Sequence, residues 1–138
     1  MPSLPRISLD TNIFIFGIRN IDPFSVTILK NLFQFNVRIS VQVEKELRNN
    51  ISHIELKEFY SLIKLLTYFD IVYQQPNTEI FNKYQELGLK TGDAIIAEFC
   101  FSENIEILIS ENRHFLQQLP HQPFEIIESK LFCKKFGL

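Results

Sequence analysis

Tryptophan is absent from this chain of 138 residues, methionine occurs once, cysteine twice and glycine four times. Cys100 and Cys133 lie far apart, with no CxxC spacing and no matching histidine pair. That excludes a zinc cage and a disulfide framework, and leaves two buried free thiols in a reducing cytoplasm as the expectation. No apolar run approaches the length of a membrane span, and Met1-Pro2-Ser3-Leu4-Pro5 has neither a basic n-region nor a long apolar h-region, so no leader and no membrane anchor are expected. Neither charge sign dominates: sixteen acidic against fourteen basic residues leave a formal charge of −2. A broad non-specific grip on nucleic acid is thereby disfavoured unless the basic residues cluster, and any polyanion has to be held locally or through a metal. There is no internal repeat, low-complexity tract or linker.

What the chain does have is apolar residues, 46% of the total, with fourteen phenylalanines among them. That content suits one compact domain over residues 1–138, with most of the aromatic rings in its core. Strands are expected over 5–9, 37–40, 69–73, 105–109 and 124–127, as short β-rich runs. Helical spacing is expected over 13–17, from Asp22-Pro23 through Phe33, over 41–48 with Ser40 as N-cap and Asn49-Asn50 as breaker, over 54–66, from 80 to a stop at Gly88, over 93–102, and over 112–119 before Pro120. Helices alternating with strands imply an α/β fold with a parallel sheet and right-handed crossovers.

Three acids stand at comparable places in this pattern. Asp10 ends the apolar run Arg6-Ile7-Ser8-Leu9 where the chain turns into a helix, Glu46 lies in Ser40-Val41-Gln42-Val43-Glu44-Lys45-Glu46-Leu47, and Asp93 lies in Lys90-Thr91-Gly92-Asp93-Ala94-Ile95-Ile96-Ala97. The carboxyl edge of an α/β sheet is where ligands usually bind. Separated carboxylates converging there suggest a site for a hard divalent ion, which prefers oxygen ligands and needs no His or Cys. Each acid also has a plainer role: Asp10 and Asp93 as helix N-caps, and Glu46 in a solvated charge cluster with Glu44, Lys45 and Arg48. Glu98 is turned away from Asp93 on its helix and reads as surface or structural, and His114 as a capping or packing residue. Lys90 and Arg113, next to the acidic motifs, are candidates to contact phosphate.

Taken in order, Ile7-Ser8-Leu9-Asp10-Thr11-Asn12-Ile13-Phe14, Ile39-Ser40-Val41-Gln42-Val43-Glu44-Lys45-Glu46-Leu47, Thr91-Gly92-Asp93-Ala94-Ile95-Ile96-Ala97 and Ile107-Leu108-Ile109-Ser110-Glu111-Asn112-Arg113-His114-Phe115 form a pattern that resembles the PIN-domain family, and within it the VapC-like toxins. The resemblance implies a PIN-like three-layer α/β fold, with a central, mostly parallel, twisted sheet flanked by helices. It also implies an acidic cluster binding Mg²⁺ or Mn²⁺ for hydrolysis of RNA phosphodiester bonds. On this mapping Asp10, Glu46 and Asp93 fall on the first three acidic positions. The fourth, an Asp in many members, falls on Asn112, with Glu111 beside it as a misdirected substitute.

The roles that follow are Asp10 and Asp93 as direct ligands, Glu46 as a ligand or as the acceptor that orients the attacking water, and Asn112 as a ligand through its neutral carbonyl or through water. Asn12 and Ser110 would hold carboxylates or waters in place. With one carboxylate fewer, a single tightly held ion is favoured over two. The implied partners are an RNA substrate, a small cognate antitoxin and a second copy of the chain in a homodimer. Two other readings are a PIN nuclease of RNA processing outside any toxin system, and a PIN-like binding module without catalysis. A haloacid dehalogenase-like phosphatase is disfavoured, since Asp10-Thr11-Asn12 lacks the Asp-x-Asp of those enzymes.

Overall fold

A computed structural model describes residues 4–119 and 121–138. The residues expected to lack a leader, Met1 to Ser3, and the expected helix-ending Pro120 lie outside the described residues. Five strands, β1 (Arg6–Leu9), β2 (Asn36–Ser40), β3 (Phe69–Val72), β4 (Ile107–Ile109) and β5 (Glu125–Ile127), form one sheet in the order β3-β2-β1-β4-β5. Every pairing is parallel. Strands with both faces covered must be apolar throughout, and Ile7, Leu9, Val37, Ile39, Leu108 and Ile109 are all fully buried.

The helices are α1 (Thr11–Ile18), α2 (Pro23–Lys30), α3 (Val41–Asn50), α4 (His53–Lys64), α5 (Thr78–Glu86), α6 (Thr91–Ser102), α7 (Arg113–Gln118) and α8 (Ser129–Phe136). The chain starts in the middle of the sheet and steps outward through β2 and β3, then returns to the other side of β1 for β4 and β5. Right-handed crossovers therefore put α1 to α4 on one face and α5 to α7 on the other. α8 packs back on α2. The mixed α/β architecture with a parallel sheet flanked by helices is the expected one.

Phenylalanine supplies much of the core: Phe14 meets Phe59 edge-on at 5.1 Å, and Phe132 lies tilted against both Phe35 and Phe136, which meet each other edge-on. Each fully buried ring contributes roughly 1.5–3 kcal/mol through burial. Gly17 lets α1 and α2 touch, because a Cβ there would stand 2.4 Å from Leu29 Cδ1 and 3.2 Å from the Ser25 carbonyl.

Several boundaries differ from the sequence reading. β4 begins at Ile107, not at 105, because the Ile105 N–H still closes α6 on the Cys100 carbonyl and Asn104 takes a left-handed φ of 53°. α3 runs through Asn49 and Asn50, where the Asn50 amide donates to the Glu46 carbonyl at 2.7 Å and so extends the helix. α8 was not anticipated, although Phe132, Cys133 and Phe136 have helical spacing and Gly137 supplies the left-handed stop at φ 64°. Glu44 is not part of a solvated charge cluster. It is buried, accepts from Tyr60 Oη at 2.6 Å and Tyr73 Oη at 3.2 Å, and lies 3.7 Å from Arg48.

Candidate functional site

β1 lies at the point where the strand order reverses, and its carboxyl end opens into a pocket of about 410 Å³. Asp10, Glu46, Asp93, Asn12 and Asn112 line it, together with Thr11, Ile15, Phe16, Arg19 and Asn50. All five come from the sequence-derived set. Ser110 stands directly behind this group, and Glu111 does not belong to it.

Asp10 is buried at the end of β1 and is the N-cap of α1, its Oδ1 accepting the Thr11 N–H at 2.8 Å. Oδ2 accepts the Ser110 hydroxyl at 2.7 Å, and the Asn112 N–H in turn donates to Ser110 Oγ at 3.0 Å, which fixes the direction of that hydroxyl. Burial raises the pKa of Asp10 to about 6. The bonds from Ser110 and Thr11 oppose the rise, and the charges of Glu46 and Asp93 add to it. Capping and crowding by charge coexist in this one side chain.

Glu46 projects from α3 and is held at both oxygens: the Thr11 hydroxyl donates to Oε1 at 2.6 Å and Gln42 Nε2 to Oε2 at 2.8 Å. α6 approaches closely here only because residue 92 is glycine; a Cβ on Gly92 would stand 2.9 Å from Glu46 Oε2. Asp93 lies in the first turn of α6. It is not the N-cap, a position taken by Lys90 without a side-chain bond. Its Oδ2 accepts from Asn112 Nδ2 at 3.1 Å.

Asn112 therefore differs from the expected carbonyl ligand. As the N-cap of α7 its Oδ1 accepts the His114 N–H at 2.9 Å, which turns the amide nitrogen toward Asp93. Glu111 faces the other way, its Oε1 accepting the Ser129 N–H at 2.7 Å at the start of α8. Among the hydrogen bonds of the described residues, Asn12 holds no carboxylate; Thr11 and Gln42, which sequence reading missed, perform that task. Gln42 had a signal, since it precedes Glu46 by one helical turn. Glu98 is buried and structural, accepting from the Asn77 N–H and from the Ser102 hydroxyl. Lys90 and Arg113 do not line the pocket; the cation that does is Arg19, which shares a helix stripe with Asn12 and Ile15.

Among the described residues no group of three His, Cys, Asp or Glu draws together tightly enough to cage a metal ion. Glu46 is held by Thr11 and Gln42 in the pocket it shares with Asp10 and Asp93. The donor set nonetheless fits a hydrated hard ion. It consists of carboxylate oxygens, and burial, with a smaller contribution from the charges of Glu46 and Asp93, pushes Asp10 upward. It is also roomy enough for the water shell that Mg²⁺ keeps when anchored by one or two carboxylates.

Residues 7–118 match the family model of the PIN domain. Among solved structures, the chain is similar to VapBC2 from Rickettsia felis bound to a DNA fragment from their promoter, with a TM-score of 0.64 at 20% identity over 89% of this chain and 98% of that one. It is also similar to a toxin-antitoxin complex from Klebsiella pneumoniae, with a TM-score of 0.63 at 24% identity over 87% of this chain and 99% of that one. At such identities the likeness speaks for the fold. No curated protein sequence is a significant match. Among the described residues, no helix is long and apolar enough to cross a membrane.

Proposed function

Because the chain belongs to the PIN domain family, we propose that it is a divalent-metal-dependent endoribonuclease and the toxin of a toxin-antitoxin pair. The single observation that carries this reading is the pocket in which Asp10, Glu46 and Asp93 meet at the carboxyl edge of the sheet. Carboxylates gathered in this way hold a proton or a cation more readily than they coexist as bare anions, and Asp10, raised to about 6 chiefly by burial and further by the charges of Glu46 and Asp93, leans in that direction.

Mg²⁺ or Mn²⁺, when bound, supplies positive charge against the developing phosphorane and lowers the pKa of a water. Asp10 and Asp93 are the residues to hold it, Asp10 kept in orientation by Ser110 and the Thr11 N–H, and Asp93 by the Asn112 amide. Glu46, immobilised by Thr11 and Gln42, is the acceptor that aligns the attacking water. Asn112 contributes a donor that steadies Asp93 without adding charge, which favours one ion over two.

Both solved structures named above are toxin-antitoxin complexes by their titles, which supports a small antitoxin as the partner of this chain. Homodimerisation and a cytoplasmic setting belong to the same proposal. A second reading, a PIN-like module without catalysis, draws on the absence of a closed three-carboxylate cage among the described residues. RNA cleavage profiling with Mg²⁺ or Mn²⁺, run beside Asp93→Asn, decides between them. Metal-dependent cuts that vanish in the variant support the nuclease, and calorimetry showing no Mn²⁺ binding together with intact RNA refutes it.

A further inference from the structure

One charged side chain in the acidic pocket has no part in the chemistry above. Arg19, at the C-terminal end of α1, lines the pocket with Asp10, Glu46 and Asp93, and among the described residues it is the only cation that does. Its guanidinium is anchored from the far side. Nε donates to Glu55 Oε2 at 2.8 Å, and Nη2 donates to Glu55 Oε1 at 3.3 Å and to the Asn50 carbonyl at 3.2 Å. Glu55 is itself fixed by a reciprocal capping box with Ser52 at the start of α4. These bonds employ one edge of the guanidinium and leave Nη1 without a hydrogen bond to a described residue.

The Nη1 group left over is held in a fixed direction at the rim of an otherwise anionic pocket, where its N–H donors suit a phosphate oxygen. The whole chain is net negative, so a polyanion must be gripped at a few defined points. Arg19 follows Asp10 by nine positions, which at 1.5 Å per helical residue places the two about 13 Å apart along the α1 axis. A group held by Arg19 thus belongs to the same strand as the linkage attacked beside Asp10, but lies beyond the adjacent phosphate. The geometry points to Arg19 as the binding residue for a flanking phosphate of single-stranded RNA, steering the strand so that its scissile linkage enters beside Asp10 and Asp93. This inference rests on the nuclease reading and extends it to how substrate is held.

The test compares wild type, Arg19→Ala, Arg19→Lys and Glu55→Gln. It measures binding of a fluorescent single-stranded RNA oligonucleotide in Ca²⁺ over a range of salt concentrations, cleavage of the same RNA in Mn²⁺, and thermal unfolding. Arg19→Ala is expected to raise Kd and KM about tenfold, with kcat changed less than about twofold. It should also reduce the slope of log affinity against log salt by about 0.7, the value for one lost contact to a single strand. Arg19→Lys should keep that slope and lose part of the affinity, and Glu55→Gln, which breaks the same ion pair but retains the cation, should also keep it. An equal loss of unfolding temperature and affinity in Arg19→Ala and Glu55→Gln, with the slope unchanged, would reduce Arg19 to a strut between α1 and α4 and overturn the proposal. Wild-type cleavage matched by Arg19→Ala at every salt concentration would overturn it too, with the nuclease reading left standing. Arg19-dependent binding without cleavage would support the phosphate site and sink the nuclease, and a wild type that neither binds nor cuts RNA would sink both.

Discussion

Asp10 and Asp22 are the same residue in the same job, the N-caps of α1 and α2, yet their carboxyl groups are pushed in opposite directions. Asp22 is surrounded by donors: the Phe24 and Ser25 N–H groups and the hydroxyls of Ser25 and Ser129 all reach it within 3.2 Å. Partial burial acts to raise its pKa, and the four bonds overcome that and lower it. Asp10 is more deeply enclosed, has two donors, and faces Glu46 and Asp93, so burial prevails and its pKa climbs to about 6. A structural cap is saturated with protons from its surroundings. The acid at the pocket is deliberately short of positive charge, and that shortage is what a cation would meet.

The largest expected contrast between the two caps is in activity. Asp10→Asn should lower metal-dependent RNA cleavage by more than about a hundredfold, the upper range for disturbing the residues that merely support a metal's ligands, and Asp22→Asn should leave it near the wild-type rate; equal losses in single-turnover assays would dissolve the distinction. The second contrast is in stability. The folded pKa of Asp10, about 6, lies above the ordinary 3.8, so the folded state binds this proton more tightly and stability falls as pH rises between those values, remaining lower above them. The difference is on the order of 3 kcal/mol. Asp10→Asn should therefore be more stable than wild type at pH 7 and no longer gain unfolding temperature on addition of Mn²⁺. Chemical denaturation of both proteins from pH 4 to 7.5 would refute this if the gap between them stayed constant.

For Asp22 the sign is reversed. Its lowered pKa contributes stability above the unfolded value that is lost as pH falls through the folded one, and Asp22→Ala should cost about 1–2 kcal/mol at neutral pH through loss of the cap. A milder probe of the pocket is Gly92→Ala. The added methyl reaches Glu46 Oε2, the movable end of a side chain, so cleavage should drop roughly tenfold through misplacement of that carboxylate, while helix propensity raises stability by up to about 1 kcal/mol. Unchanged cleavage in this variant would remove Glu46 from the aligning role.

The strands and the acidic edge were readable in the sequence for a common reason: buried parallel strands are continuous apolar runs, and the residue that ends each run reports the carboxyl edge. Asp10 after Leu9 and Ser110 after Ile109 are two such readings, and β1 pairing with β4 brings them together. Contacts across elements left no such trace. Thr11 donating to Glu46, Arg19 reaching Glu55 and Tyr60 burying Glu44 join side chains from different helices, whereas periodicity reports only which residues share one helix. The exchange of roles between Glu44 and Glu46, one buried and the other at the pocket, could be anticipated as two faces of α3, but not which face turned inward to tyrosine. Asn112 lines the pocket, but the direction of its side chain was not legible, because the direction of an amide is decided by the backbone N–H it caps.

The bond from Ser110 to Asp10 closes a loop of a hundred residues, and Asp93 and Asn112 arrive on elements that follow three and four of the five strands respectively. A growing polypeptide consequently cannot assemble this pocket while residues 93–112 are still within the ribosome. Docking of β4 against β1 is a late, long-range event, so the fold itself postpones completion of the pocket until the segment carrying Ser110 and Asn112 has emerged.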